Sequence, residues 1–187
     1  MRLPEGRSTV DTTEVYFIVL RWTHVFAGIT WIGLLYYFNF VQVPTFKELD
    51  TATKNVLIPK LVKRTLLWFR WAAVVTVLAG WLYFFSRWVI DSGQGSVDLT
   101  RTWWYVSILT GGLIGTFMFL NVWGVIWRNQ KRIIKATEDL ARGTPAPPNM
   151  AKWGKQALIA SRMNVALSLP LLVFMMAASH LTVNLGG

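Results

Sequence analysis

Cysteine is absent from this 187-residue chain. That excludes disulfides, thiolate zinc sites, iron–sulfur clusters and the CxxCH motif that attaches haem covalently. Acidic residues are scarce, nine against nineteen Lys and Arg, which gives a net charge of +10. No paired carboxylates fall within the apolar stretches, and neither a Ser/His/Asp set nor a phosphate-binding glycine loop is present, so hydrolase and kinase chemistry have no residues to run on. Histidine is rarer still, with two in the whole chain, His24 and His180. Apolar residues are plentiful instead: 53% of the chain is hydrophobic, with eleven Trp and eleven Phe. That is more than a soluble domain of this length needs, and the length suits one domain, residues 1–187.

Four stretches are long and apolar enough to cross a bilayer core, which takes about 20 helical residues. They run roughly over 15–43, 66–90, 102–127 and 157–183. The polar start of the chain, with Glu5, Asp11 and Glu14, does not have the form of a cleavable signal peptide. The fold class expected is therefore all-α: an integral membrane four-helix bundle, up-down-up-down. The basic residues orient it. Lys47, Lys54, Lys60, Lys63 and Arg64 lie between the first two spans, and Arg128, Lys131, Arg132, Lys135, Arg142, Lys152 and Lys155 between the last two. The connection 91–101 holds only Arg101. Positive charge marks the cytoplasmic side, so both termini are expected outside, in the periplasm if the membrane is a bacterial inner membrane. The charge is thus explained by topology and anionic lipid headgroups, and nucleic acid is not an expected partner. Trp88, Trp103 and Trp104 suit an outer aromatic belt, and Trp68, Trp71, Trp123 and Trp127 an inner one.

Local signals add detail. Pro44 is expected to end the first span, and residues 45–63 to form a short interfacial helix interrupted at Pro59. The third span should continue as a polar helix through Gln130–Leu140 and stop near Gly143, before a linker turn at 144–149. Gly111 and Gly115 make a GxxxG pair suited to close helix packing. Asn39, Asn121 and Asn164 are expected to hydrogen-bond between helices, Arg70 and Arg162 to snorkel, and Pro170 to kink the last span. Met175 and Met176 are more readily packing residues than ligands.

The two histidines both lie inside spans. Counting along helices that run in opposite directions puts both in the outer half of the bilayer at similar depth. Adjacent first and fourth helices could present them face to face, the arrangement that holds a bis-histidine haem b within a bundle. Arg21 and Gly28 lie one turn to either side of His24, and Trp31 follows two turns on. Arg21 would neutralise a haem propionate, or pair with Glu14. Gly28, and Ala177 beside His180, would leave room for a flat macrocycle. The other use of such histidines is a hydrogen bond between helices, and spacing leaves both open.

Three segments carry a family resemblance. The first span, RWTHVFAGITWIG (Arg21–Gly33), resembles the RW-x-H-V-x-AG-x-x-WIG signature of the urate oxidase N-terminal family, the membrane part of a cytochrome-linked urate hydroxylase. NVWGVIWRNQKRII (Asn121–Ile134) is similar to that family's W-x-x-IWPNQK stretch, with Arg128 in place of its Pro. SRMNVALSLPLLVFMMAASH (Ser161–His180) resembles its last span, with Met163 where His is frequent. More loosely, the first span also looks like haem-binding protoporphyrinogen oxidases and copper-resistance proteins of membranes. The resemblance implies a membrane redox protein and singles out His24 and His180. The expected function is electron transfer by a b-type haem, with these two as metal ligands. The chain would be a small subunit of a larger membrane redox complex, passing electrons between a quinone or membrane partner and cytochrome c. The alternatives are an oxidoreductase acting on urate or a porphyrinogen, and a haem-free structural or assembly subunit.

Overall fold

A computed structural model describes residues 11–93 and 99–180, apart from the side chains of 99–102 and 179–180. The predicted end of the fourth span, residues 181–183, lies outside the described residues. Everything described is helix or short connection, and four helices are long and apolar enough to cross a membrane. Helix α1 spans Thr12–Glu48 and α2 spans Thr51–Gly93. Helix α3 starts with Leu99–Asn121, passes through a π-helical turn, Val122–Ile126, and continues as Trp127–Leu140. Helix α4 covers Met150–His180.

Side-chain pairs fix the directions. Tyr16 meets Ser86 and Arg21 meets Tyr83, so α2 descends as α1 rises. Trp81 donates to Thr116 near mid-span while Lys63 reaches Glu138 far down α3, which makes α2 and α3 antiparallel. Arg132 near Trp153 and Asn121 on Ala160 set α4 against α3 in the same sense. Tyr36 to Ser168 and Asn39 to Ser161 close the ring between α1 and α4. The bundle is up-down-up-down, with the connections 49–50 and 141–149 and the basic helix extensions beside them at one end.

The prolines behave differently from the sequence expectation. Pro44 does not end the first helix, and Pro59 does not interrupt the second. Each sits at or just after a π-helical turn, Tyr37–Gln42 and Ile58–Val62. There the backbone bonds stretch to the fifth residue back, as in Val43 N–H to Phe38 O and Lys63 N–H to Ile58 O. The widened turn gives the pyrrolidine ring space beside the preceding carbonyls and absorbs the missing N–H. Segment 45–63 is therefore two extensions of the spans, broken at Leu49–Asp50, with Asp50 capping the second by accepting from Thr53 N–H at 2.9 Å. Pro170 lies within α4, leaving Ala166 O without its usual helical donor.

The polar continuation of α3 ends as expected. Thr144 N–H bonds Asp139 O and Gly143 N–H bonds Leu140 O, with Gly143 at φ +88°. This is a Schellman closure, and the positive φ requires the glycine.

The core sits toward the basic half. Trp31, Leu35 and Phe38 of α1 pack with Leu66, Phe69 and Ala73 of α2, Met118 and Val122 of α3, and Ala160 of α4. Within it the predicted asparagine contacts form: Asn39 donates to Ser161 Oγ at 2.7 Å, Asn121 to Ala160 O and Asn164 Oδ1 at 2.8 Å each, and Asn164 to Met118 O at 3.1 Å. Interhelical bonds of this kind contribute about 0.6 kcal/mol each in a membrane protein, so they align the helices more than they stabilise them. Outside, Phe26, Ile29, Leu78, Leu113, Leu169 and Val173 all face outward. An apolar exterior over a partly polar interior is what a bilayer solvent selects.

Candidate functional site

His24 lies where α1 crosses α2. Its Nδ1 is 2.8 Å from the carbonyl oxygen of Thr76. A carbonyl can only accept, so the ring nitrogen donates and carries the proton. In the neutral ring this leaves the lone pair on Nε2, which has no hydrogen-bond partner among the described residues. The approach depends on Gly80. A Cβ placed there would stand 2.8 Å from both Cε1 and Nδ1 of His24. Thr76 keeps its own hydroxyl busy by donating to Ala72 O at 2.7 Å, so the backbone oxygen alone receives the imidazole.

The neighbours predicted around His24 have distinct positions. Arg21 donates to Tyr83 Oη at 2.7 Å, with its guanidinium 5.5 Å from that ring. Its polar partner is thus a phenol of α2, not Glu14. Gly28 faces Thr76, whose methyl would be 3.7 Å from a Cβ, so it serves the packing of α1 on α2. Trp31 is buried at 2% exposure in the main core, and its indole N–H has no partner among the described residues. Ala177 is buried on α4. The backbone of His180 closes α4, while its side chain lies outside the described residues.

Toward the terminal end, Phe17 is buried against Tyr83, with the Arg87 guanidinium 5.2 Å from its ring. Asp91 accepts from Tyr105 at 2.7 Å and lies 3.9 Å from Arg87. Trp104 stacks inside on Phe84, whereas Trp88 is exposed. On α3, Ser107 is fully buried, and neither its hydroxyl nor the Trp103 indole N–H one turn away has a hydrogen-bond partner among the described residues.

Thr76, Gly80 and Tyr83 escaped sequence reasoning. Depth counting compares levels along helices but not which helix a side chain turns to. A glycine one turn from a threonine on the second span, level with His24, was the available signal.

Arg70, Asn121 and Arg162, which a polar substrate cavity would need to converge, have separate surroundings. Arg70 lies 3.8 Å from the Trp127 ring centre and 5.8 Å from that of Trp123. Asn121 is spent on α4, and Arg162 is exposed. Met175 packs toward Gly111, where a Cβ would meet its methyl at 2.8 Å, and Met176 is exposed. Among the described residues, no three His, Cys, Asp or Glu side chains gather to hold a metal ion. Two open recesses lie toward the basic half of the bundle, away from His24: one between α3 and α4, the other between α1 and α2.

The family model of the urate oxidase N-terminal family matches residues 104–186. That range holds the Asn121–Ile134 and Ser161–His180 segments and leaves Arg21–Gly33 outside it. No curated protein and no solved structure matches the chain. Residues 104–186 are thus similar to the urate oxidase N-terminal family, in a chain with four helices long and apolar enough to cross a membrane.

Proposed function

We propose that this protein is a b-type haem membrane protein that transfers electrons, in which His24 and His180 would hold the iron. The observation that carries the reading is the bond from His24 Nδ1 to Thr76 O. A metal-bound histidine characteristically donates its other ring N–H to a carbonyl or carboxylate, which fixes the tautomer and raises the basicity of the coordinating nitrogen. Here the donor set fits: Nδ1 is engaged, Nε2 is free among the described residues, and Gly80 permits the approach.

Register supports the second ligand. Twelve residues separate Tyr36 from His24, and twelve separate its partner Ser168 from His180. Counted from that bonded pair, both histidines stand ~18 Å farther toward the terminal end. The Asn39–Ser161 pair gives Met176 as the residue level with His24, one turn short of His180.

Bound haem would supply one-electron chemistry, and two histidine ligands would favour electron transfer over oxygen binding. The chain's own residues do the rest. Thr76 O and Gly80 hold the imidazole against rotation. Arg21, held by Tyr83, offers a positive charge toward a propionate. The apolar exterior keeps the site within the bilayer, which the positive-inside rule orients with both termini periplasmic in a bacterial inner membrane. A small chain of this kind suits a subunit of a larger redox complex that takes electrons from a quinone or membrane partner and delivers them to an outer acceptor such as cytochrome c.

The test is haem content by pyridine haemochrome after expression with haem supplied. One haem b per chain, lost in His24→Ala, is expected. A colourless, folded protein would refute the reading in favour of a haem-free structural subunit. The family match favours a second reading, oxidation of urate, with a porphyrinogen as the other candidate substrate. Consumption of urate by the purified protein with an added electron acceptor would establish that reading, and no turnover with any acceptor would remove it.

A further inference from the structure

The recess between α3 and α4 has two unlike halves. Arg128, Arg132 and Gln156 line the half toward the connection 141–149, while Val125, Ile159 and Met163 line the half toward mid-membrane. Its cavity volume is about 430 Å³ and it opens to the outside. Both arginines are exposed and lie one turn apart on the same side of α3. Among the described residues, no carboxylate lines the recess. The acids nearest in sequence are engaged elsewhere, Glu138 with Lys63 at 2.9 Å and Asp139 with Arg142 at 3.9 Å. Arg132 has the Trp153 ring 5.7 Å from its guanidinium, a contact that holds the charge at the rim without neutralising it. Gly124 adds an open strip to the apolar half, since a Cβ there would meet nothing within 4 Å. At the floor, Asn121 clasps Ala160 O and ties the two walls together.

We propose that this recess binds one anionic diacyl phospholipid, with the phosphodiester between Arg128 and Arg132 and an acyl chain along Val125, Ile159 and Met163. Two forked cations without a protein anion favour a phosphate oxygen pair. The apolar continuation toward mid-membrane distinguishes a lipid from a free anion. The preference for net negative headgroups follows from the uncompensated charge, since a zwitterionic lipid brings its own cation to the same rim. A lipid here would bridge α3 and α4 directly over the asparagine clasp. The inference is independent of haem binding.

The experiment is native mass spectrometry of the purified full chain released from detergent after incubation with dioleoylphosphatidylglycerol, dioleoylphosphatidylcholine or inorganic phosphate. One phosphatidylglycerol should be retained in preference to phosphatidylcholine. Arg128→Gln/Arg132→Gln should weaken its retention about tenfold or more, whereas Lys47→Gln/Lys54→Gln, outside the recess, should leave it unchanged. Gly124→Leu keeps both arginines and fills the apolar strip, so it should lower lipid retention as well. Equal retention of phosphatidylcholine, undiminished phosphatidylglycerol binding by the arginine variant, or equal loss in the lysine variant would overturn the proposal. So would competition by millimolar phosphate as effective as that of the lipid, which would make the recess a free-anion site.

Discussion

Replacing Gly80 with alanine sets two known effects against each other. Alanine in a helix interior is favoured over glycine by about 0.5–1 kcal/mol, so a neutral site would gain stability. At Gly80 the new Cβ would stand 2.8 Å from two atoms of the His24 ring. Ordinary contact needs ~3.5 Å, so the ring must retreat by about 0.7 Å. It is tied to Thr76 O at 2.8 Å, and the same retreat stretches that bond toward the limit of hydrogen bonding. Overpacking costs about 1–3 kcal/mol and the weakened bond about 0.6 kcal/mol, which together offset or exceed the helix gain. Gly80→Ala is therefore expected to be about 0.6–3 kcal/mol less stable while displacing the imidazole, with the largest effect on any group bound at Nε2. Gly33→Ala is the internal control, because nothing lies within 4 Å of a Cβ there. It should gain about 0.5–1 kcal/mol. Thermal unfolding in one detergent, together with the visible spectrum of haem-supplied protein, reads both quantities. If Gly80→Ala gained as much stability as Gly33→Ala and left the spectrum unchanged, the close packing of His24 on α2 would be refuted.

Further outcomes follow from other contacts. Asn164→Leu removes a buried link to Asn121 and Met118 and should destabilise the bundle by about 1–2 kcal/mol, and a double-mutant cycle with Asn121→Leu should return a coupling near 0.6 kcal/mol. Gly111→Ala should cost little despite a 2.8 Å contact, because the atom met is the terminal methyl of flexible Met175, and unfolding of the purified variant measures it. At Asp50, the Thr53 hydroxyl and then its amide hold the carboxyl below its usual range. A depressed folded value means the cap stabilises above the unfolded pKa and fades as pH falls through the folded one, so amide exchange across Thr51–Leu57 should quicken on acidification. Asp50→Asn should remove that pH dependence. Arg21→Gln should lose the Tyr83 contact and, on the haem reading, shift the midpoint potential without removing the haem.

Much of the architecture was legible in the sequence because the bilayer imposes it. Length and hydropathy set the four helices, and Gly143 marked the end of the polar extension of α3 through its backbone angle. The asparagines were recognisable as helix ties since buried amides in an apolar segment must find partners. Pro44 and Pro59 were misjudged because a π-helical turn leaves no mark in hydrophobic periodicity, yet it makes room for proline inside a long helix. His24 was singled out as a ligand that would face α4, and the partner its ring has is the Thr76 carbonyl of α2. Depth along a helix follows from residue counting, whereas the direction a side chain faces depends on how four helices are arranged around one another. Trp31 illustrates the same gap, since it lies two turns from His24 yet belongs to the packed core with Leu35 and Phe69.

The most direct measurement is the electron paramagnetic resonance spectrum of the oxidised, haem-supplied protein beside His24→Ala and His180→Ala. The account predicts a low-spin ferric signal in the wild type that each substitution converts to high spin or abolishes. A low-spin signal that survives both substitutions would contradict it.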